Sequence, residues 1–183
     1  MISPIPSPRS FARTAALTSA LLLLVGCTPD PPPSPTPTPA FASEEEAFAA
    51  AEASFDRYTR ALNGIDTSNP ETFEALFDLS SGSVEKADRE NFSSMHAEGQ
   101  SIEGETRILS FSGLRSDVPL RSVTAAVCLD VGNVSVVNPD GTSAVNPNRP
   151  DVYALEVTFQ ATQAGTLLVD SATPTDEFEC PAS

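Results

Sequence analysis

The chain has 183 residues, of which 25 are acidic and ten are basic, so its formal net charge at pH 7 is −15. This acidity repels nucleic acid and anionic lipid headgroups, and we expect neither as a direct partner. The charge is typical of a solvated surface, with recognition of a basic partner as the alternative.

The first 26 residues have the pattern of a secretory signal peptide. Arg9 and Arg13 precede an apolar run over residues 15–25, which is shorter than the about 20 residues that a membrane span needs. The run ends at Leu24-Val25-Gly26-Cys27, which resembles the lipobox of bacterial lipoproteins. The resemblance implies cleavage before Cys27 and attachment of fatty chains such as palmitate, which together hold a protein stably on a membrane. An ordinary cleaved signal with a free cysteine, or a chance match, are the alternatives.

Residues 27–42 are predicted to be a lipidated cysteine followed by a spacer. Seven of the thirteen residues in 28–40 are proline, a composition that favours an extended polyproline II segment. Such a spacer reaches roughly 40 Å when fully extended, whereas a merely disordered linker would be less stiff. We expect the chain to lie on the extracytoplasmic face of the cell membrane, with residues 43–180 forming one domain.

Residues 43–65 predict a long first helix. Ser43 and Glu46 have the spacing of a capping box, and Asn63-Gly64 is expected to end the helix. Apolar side chains recur every three or four residues, the stripe of an amphipathic helix. They are Phe48, Ala51, Phe55, Tyr58, Leu62 and Ile65.

Two further helices are predicted before residue 100. Asn69-Pro70-Glu71 has a cap residue followed by proline and begins the second helix, which turns Phe73, Leu76 and Phe77 inward. Ser83 is expected to cap the third helix, which runs to Glu98 and is followed by Gly99. Its thin inward stripe consists of Val84, Ala87 or Asp88, Asn91, Phe92 and Met95.

From Gln100 the hydrophobic period changes to two, which predicts strands. We expect strands over 102–111, 121–131, 151–162 and 166–173, with 133–137 continuing or bending the second strand. Turns are expected at 113–119, 138–141 and 163–165. The strand 121–131 puts Val123, Ala125, Val127 and Leu129 on one face and Thr124, Ala126, Cys128 and Asp130 on the other. In 151–162 the inward residues are Tyr153, Leu155, Val157 and Phe159. The fold class is α+β, with helices on one face of an antiparallel meander.

The order of three helices and then long antiparallel strands resembles the nuclear transport factor 2-like (SnoaL-like, cystatin-like) fold. That resemblance implies a curved, cone-shaped sheet closed by the N-terminal helices. More narrowly, the stretches RYTRALNGID, VCLD and DEFEC resemble small actinobacterial lipoproteins of unassigned function, and nine arginines against a single lysine agree with such a source. The family's usual short strand between the second and third helices is not visible in the sequence.

The cysteines favour a disulfide. With Cys27 assigned to lipid, Cys128 and Cys180 remain in an exported domain, where thiols oxidise. Closing a loop of about 50 residues would stabilise the fold by roughly 4 kcal/mol. A catalytic cysteine is the alternative, but the single histidine, His96, is far away in the sequence.

Candidate chemistry is sparse. The resemblance implies that enzymes of this fold turn carboxylates, Tyr or His into the cone, and the candidates here are Tyr58, His96 and Tyr153. Core packing accounts for Tyr58, and capping of a helix C-terminus accounts for His96. Asp130 and Glu156 are expected to face solvent. The spacing identifies no converging acid–base pair.

The sequence predicts no catalytic residue, cofactor or metal site. It contains no Gly-rich phosphate loop, nucleophile elbow or zinc-type Cys/His cluster. The Asn- and Asp-rich segment 138–151 lacks the EF-hand pattern, and turn chemistry explains its composition.

We therefore expect a membrane-anchored, non-catalytic domain that binds a small apolar ligand in its cone or an envelope or protein partner on its surface. The alternative is an enzyme of the isomerase, dehydratase or cyclase type with its site inside the cone. Two or more polar groups converging on an open cavity would favour chemistry, and a filled interior would favour an interaction role.

Overall fold

The computed structural model describes residues 41–117 and 121–181. The predicted signal peptide, Cys27 and nearly all of the linker lie outside the described residues. The helices are α1 (Glu44–Asn63), α2 (Glu71–Phe77) and α3 (Gly82–Glu98). The strands are β1 (Ser101–Glu103), β2 (Arg107–Asp117), β3 (Ser122–Asp130), β4 (Ser135–Val137), β5 (Val152–Ala161) and β6 (Leu167–Pro174). Within the described ranges, we find no helix with both the length and the apolar character to cross a membrane.

The sheet confirms the predicted fold class. Four antiparallel strands follow one another in the order β2-β3-β5-β6, and they form a curved, open sheet with the three helices packed on it. Strand β4 leaves this meander and pairs with β1 in a separate two-stranded sheet. The interior is therefore bounded by helices on one side and by one face of the main sheet on the other.

Helix α1 begins and ends where the sequence predicts. The Ser43 Oγ accepts a hydrogen bond from the Glu46 backbone N–H at 3.1 Å, and Gly64 caps the last turn. The Glu46 carboxylate reaches back to the N–H of Ala42, at 2.8 Å, rather than to that of Ser43. The second hydrogen bond of the capping box is therefore made to the residue before the N-cap and not to the N-cap itself. This contact fixes the direction in which the chain enters the domain.

The inward face of α1 carries small residues and one hidden hydroxyl. Ala47, Ala51 and Phe55 are at most 2% exposed and face the sheet. Ser54, fully buried beside them, donates to the Leu167 carbonyl oxygen at 2.6 Å. Ser54 is absent from the predicted stripe because the stripe was defined by apolar residues, yet its hydrogen bond lets it pack as close to β6 as an alanine would.

Helix α3 starts earlier than predicted, and one residue of its predicted inward stripe, Asn91, faces outward. Ser81, not Ser83, is the N-cap residue, and Ser83 instead donates to the Asp170 carbonyl oxygen at 3.2 Å. Asn91 is exposed, whereas Asp88 is only 8% exposed. The early start follows from Gly82, whose φ of +55° lets the chain turn sharply into the helix.

The aromatic cluster of α2 and α3 is as predicted. Phe73, Leu76 and Phe77 of α2 are buried and pack with Phe92 of α3. Gly99 has a φ of +67° and ends α3 in the left-handed conformation.

The observed strand β2 differs from the predicted first strand, and it includes residues that were predicted to form a turn. Residues 102–111 are not one strand, because Gly104, with a φ of +84°, separates β1 from β2. Strand β2 then continues to Asp117 through the predicted turn. A Cβ atom on Gly113 would lie 2.3 Å from the Cγ of Phe48. The glycine therefore marks a close approach of α1 to the strand and not a turn.

In the segment between α2 and α3, one residue forms a β-bridge with strand β6. Ser80 pairs with Val169 in parallel, and the Ser81 N–H donates to the Val169 carbonyl oxygen at 2.8 Å. The Val169 N–H donates in turn to the Leu79 carbonyl oxygen at 3.1 Å. This short pairing, too small to leave a periodic pattern in the sequence, joins the α2–α3 turn to the edge of β6.

The two faces of β3 alternate as predicted, with one correction. Val123 and Val127 are at most 1% exposed and face the helices. Asp130 is on the opposite face but does not point into solvent, since only 3% of it is exposed. Its carboxylate accepts from Gly132 N–H at 2.8 Å and from Arg107 at 2.6 Å, and these contacts lower the pKa of Asp130 below its usual range. Glu156 is partly exposed and pairs with Arg115 at 3.1 Å.

Cys128 and Cys180 lie at disulfide distance, with their sulfur atoms 1.98 Å apart. Cys128 points away from the helices, so the link fastens the C-terminal segment to the outer face of β3. The described domain is thereby closed by a covalent loop as well as by its core.

Candidate binding site between α1, α3 and the sheet

A cavity of about 270 Å³ remains between α1, α3 and strands β3, β5 and β6. Most of its lining is apolar, and six of these side chains are Phe55, Leu62, Val84, Leu129, Leu155 and Val169. Three polar side chains, Tyr58, Ser83 and Asp88, also line it. This combination of an apolar wall and a few convergent polar groups is the usual composition of a small-molecule site.

Tyr58 and Asp88 form a hydrogen-bonded pair across two helices. The Tyr58 hydroxyl oxygen lies 3.1 Å from Oδ1 and 3.0 Å from Oδ2 of Asp88. Tyr58 is on the apolar stripe of α1, and Asp88 lies one helical turn from both Val84 and Phe92 on the inward side of α3. The packing of the two helices on one another and on the sheet therefore brings the groups together, although 30 residues separate them in sequence.

Burial controls the protonation of the pair. Burial raises the pKa of the Tyr58 hydroxyl far above its ordinary value, and the neighbouring Asp88 charge raises it further. Burial also raises the pKa of Asp88 to about 6, although hydrogen bonds from the hydroxyls of Tyr58 and Ser80 oppose the shift. Near neutral pH the phenol therefore stays protonated and donates a hydrogen bond, while Asp88 is ionised in most molecules.

Aromatic rings fill the part of the interior between α1 and the main sheet. The rings of Phe55, Phe111 and Phe159 stand 6.1 to 6.5 Å apart between the middle of α1 and the sheet. The cavity thus occupies only the part of the interior next to α3. The domain thus combines a packed aromatic core with this pocket, in which two polar groups converge, and a second cavity of about 200 Å³ lies between the C-terminal parts of α1 and α3 and strands β1 and β4.

Of the three candidate residues named from the sequence, the structure places Tyr58 at the cavity. The Nδ1 of His96 lies 2.8 Å from the Thr67 carbonyl oxygen, so the imidazole holds the loop between α1 and α2. Because a carbonyl oxygen only accepts, this nitrogen carries the proton. Tyr153 lines a surface groove of about 760 Å³ together with Phe178 and other residues of the C-terminal segment.

Asp88 is the site residue that the sequence left undecided. The spacing allowed either Ala87 or Asp88 on the inward face, and an acidic residue is rarely buried without a partner. A usable signal was present, because Val84, Asp88 and Phe92 follow one another at intervals of four. An acidic residue at the centre of an apolar helix stripe is a candidate for a functional group.

The described residues contain no group of three or more His, Cys, Asp or Glu side chains arranged to hold a metal ion. In the Asn- and Asp-rich segment, Asp140 Oδ1 accepts from the Thr142 N–H at 2.9 Å and from the Thr142 hydroxyl at 2.6 Å. These contacts lower the pKa of Asp140 and close a tight turn.

Comparison with known proteins gives distant likenesses. No family model matches the sequence, and no curated protein matches it. Among solved structures, the chain is similar to the intermembrane space region of the chloroplast protein ARC6, with 12% identity and a TM-score of 0.48 over 69% of this chain and 95% of that one.

Two bacterial structures are also similar. For Aln2 from a Streptomyces species, the identity is 13% and the TM-score 0.43, over 71% of this chain and 89% of that one. For a protein from Catenulispora acidiphila in complex with S-DNPA, the values are 15% and 0.45, over 69% and 90%. All three TM-scores are under 0.5, and none of the identities exceeds 15%.

Proposed function

We propose that this chain is a lipid-anchored, extracytoplasmic binding protein whose cavity takes a small, largely apolar ligand. The observation that carries the proposal is the cavity of about 270 Å³, in which an apolar wall surrounds the Tyr58–Asp88 pair. Its volume is just below the range of about 300–1,000 Å³ that is usual for ligand sites, so the ligand is small.

The cavity lies beside a group of closely packed side chains. Leu129 and Leu155 border the cavity and are only partly buried. Two residues away on the same face of each strand, Val127 and Val157 are fully buried. Exposed apolar surface of this kind lowers the free energy of binding for an apolar ligand by about 25 cal/mol for each Å² that is covered. The polar pair would fix the orientation of the ligand.

Titration with phenylbutanol, a neutral probe with an apolar body, tests the binding function. We expect saturable binding by calorimetry and chemical-shift changes at cavity residues. Ala87→Leu should weaken binding because Ala87 lines the cavity, whereas Ala97→Leu, an exposed position on the same helix, should leave it unchanged. Absence of binding, or equal effects of the two variants, would contradict the proposal.

The location of the protein is proposed from the N-terminal sequence. The lipobox-like Leu24-Val25-Gly26-Cys27 and the proline-rich residues after it support an acylated cysteine and a spacer, and they agree with the resemblance to actinobacterial lipoproteins. Cys27→Ala should release the protein from the membrane fraction and abolish labelling by radioactive palmitate. Replacing Cys128 and Cys180 together by Ala is the matched control, which should keep both. Unchanged membrane attachment of Cys27→Ala would refute the anchor.

The same polar pair favours a second candidate function, an enzyme of the isomerase, dehydratase or cyclase type. A carboxylate with a pKa of about 6 in a partly dry pocket is suited to accept a proton near neutral pH. Hydrogen–deuterium exchange at the carbon next to the carbonyl of phenylbutanone would report such chemistry. Acceleration by the wild type that disappears in Asp88→Asn would favour the enzyme, and no acceleration would favour binding alone.

A further inference from the structure

Asp88 carries a charge that its surroundings do not neutralise. It is 8% exposed, and in residues 41–117 and 121–181 its hydrogen-bond partners are the neutral hydroxyls of Tyr58 and Ser80. None of the ion pairs among those residues includes it. A buried carboxylate without a cation is costly, because it has lost hydration and gained no opposite charge.

The cations of α3 are engaged elsewhere. The Arg89 Nε is 2.9 Å from the Glu85 carboxylate, and its guanidinium carbon stands 4.2 Å above the Phe77 ring. Lys86 is exposed and lies 3.9 Å from Glu90. The charged residue that faces the α2–α3 turn from β6 is Asp170, whose carboxylate accepts from the Ser81 hydroxyl at 2.9 Å. The surroundings of Asp88 are thus neutral or negative.

The polar groups of the cavity present acceptors, since the Ser83 hydroxyl proton is donated to the Asp170 carbonyl oxygen. Tyr58 has a single hydroxyl proton, and it is donated to Asp88, so the phenol oxygen presents lone pairs to any further partner. An ionised carboxylate has about four lone-pair sites, and the hydroxyls of Tyr58 and Ser80 occupy two of them. A ligand group that completes this arrangement must donate hydrogen bonds, and a positive charge on it would balance the buried negative one.

We propose that the cavity recognises a small apolar amine, whose ammonium group binds the Asp88 carboxylate while its hydrocarbon body lies against the apolar wall. This inference rests on the proposed binding function and specifies the ligand class of the same site. An ammonium supplies three donors and one positive charge, which match the free acceptors and the unpaired carboxylate. A carboxylate ligand would meet a like charge in a poorly hydrated site and is excluded.

Three probes with the same body and different head groups test the inference: phenylbutylamine, phenylbutanol and phenylbutyrate. At about pH 7.5 we expect the amine to bind the wild type about tenfold or more tightly than the alcohol, the gain that one charge-assisted hydrogen bond gives. Phenylbutyrate should bind least. Asp88→Asn should reduce the affinity for the amine to that for the alcohol while alcohol binding persists.

Two control variants separate the pocket from the general acidity of the chain. Glu90→Gln removes an exposed carboxylate of the same helix and should leave the preference for the amine unchanged. Tyr58→Phe should also keep the preference, because the carboxylate remains. If the wild type binds amine and alcohol equally, or if Glu90→Gln loses the preference as Asp88→Asn does, the inference is overturned while the binding function stands. If no probe binds, the proposed function itself fails.

Discussion

Asp88 reduces the stability of the domain in its ionised form. A carboxylate at this position has exchanged water for an apolar pocket, and the hydroxyls of Tyr58 and Ser80 compensate only in part. Groups that are costly for folding are found preferentially where a protein binds or reacts. The energetic cost of burying Asp88 is therefore consistent with the proposed binding of an amine at this residue.

The stability of Asp88→Asn should depend on pH in a defined direction. The folded-state pKa of Asp88 is about 6 against an ordinary 3.8, so the folded chain holds the proton more tightly than the unfolded chain. The contribution of Asp88 to stability is accordingly full below about pH 4, is lost as the pH rises through about 6, and stays lost above. Asparagine, which is neutral at every pH, avoids this loss.

We therefore expect the melting temperature of Asp88→Asn to exceed that of the wild type at about pH 8, and the difference to shrink towards about pH 4. Thermal denaturation of both proteins across this range measures it. Glu90→Gln, which removes an exposed carboxylate of the same helix, is the control for the change of charge. A wild type that is more stable than Asp88→Asn at the alkaline end would contradict the assignment of Asp88 as a buried charge.

Ser54→Ala should destabilise the domain although alanine fits the space. The variant removes the donor to the Leu167 carbonyl oxygen at a fully buried position, and this should lower the free energy of unfolding by about 1–2 kcal/mol. Ser94→Ala is the matched control, because Ser94 is exposed on α3 and donates to Glu98. Urea denaturation of the two variants makes the comparison. Equal stabilities would mean that the buried hydrogen bond contributes nothing.

At the scale of elements, the sequence predicts which residues belong to a helix or strand better than it predicts where that helix or strand begins and ends. The α1 stripe, the cap at Ser43 and the alternation of β3 follow from side-chain period and local hydrogen bonding, and the structure has all three. The start of α3 and the end of β2 could not be predicted in the same way. They depend on contacts with Asp170 and Phe48, which lie far away in the chain.

Gly113→Ala tests the contact between α1 and β2. The added Cβ atom would overlap the Phe48 ring, and overpacking of this kind costs about 1–3 kcal/mol of folding stability. Combining the variant with Phe48→Ala should reduce the additional loss, because the ring that causes the overlap is gone. Gly64→Ala is the control, since the nearest atoms to its Cβ are 3.4 and 3.5 Å away. Denaturant melts measure all four proteins, and additive losses in the double variant would exclude a direct clash.

At the scale of the molecule, the cavity is the feature that sequence reasoning could not supply. Its walls come from α1, α3 and three strands. The hydrophobic periodicity of each element shows which face is buried, but it does not show whether the packed elements leave a space between them. The pairing of Tyr58 with Asp88 depends on the same tertiary arrangement. The α+β class, by contrast, follows from the order of the elements alone.

Removing the disulfide should weaken the whole domain. Cys128 and Cys180 are 52 residues apart in sequence, and opening a loop of that length should lower the free energy of unfolding by about 4 kcal/mol. Replacing both cysteines by alanine and measuring denaturant unfolding gives the value. Reductant should destabilise the wild type by a similar amount and leave the double variant unchanged. A wild type insensitive to reductant would refute this contribution.

The parallel pairing of Ser80 with Val169 also limits how copies of the chain could stack into fibres. It engages the outer edge of β6 at Val169, and in the described residues β2 is the border strand at the other side, paired only with β3. Head-to-tail growth of a filament needs two open borders on every copy. A copy that added at β6 would first have to break the two backbone hydrogen bonds that Val169 makes with Leu79 and Ser81.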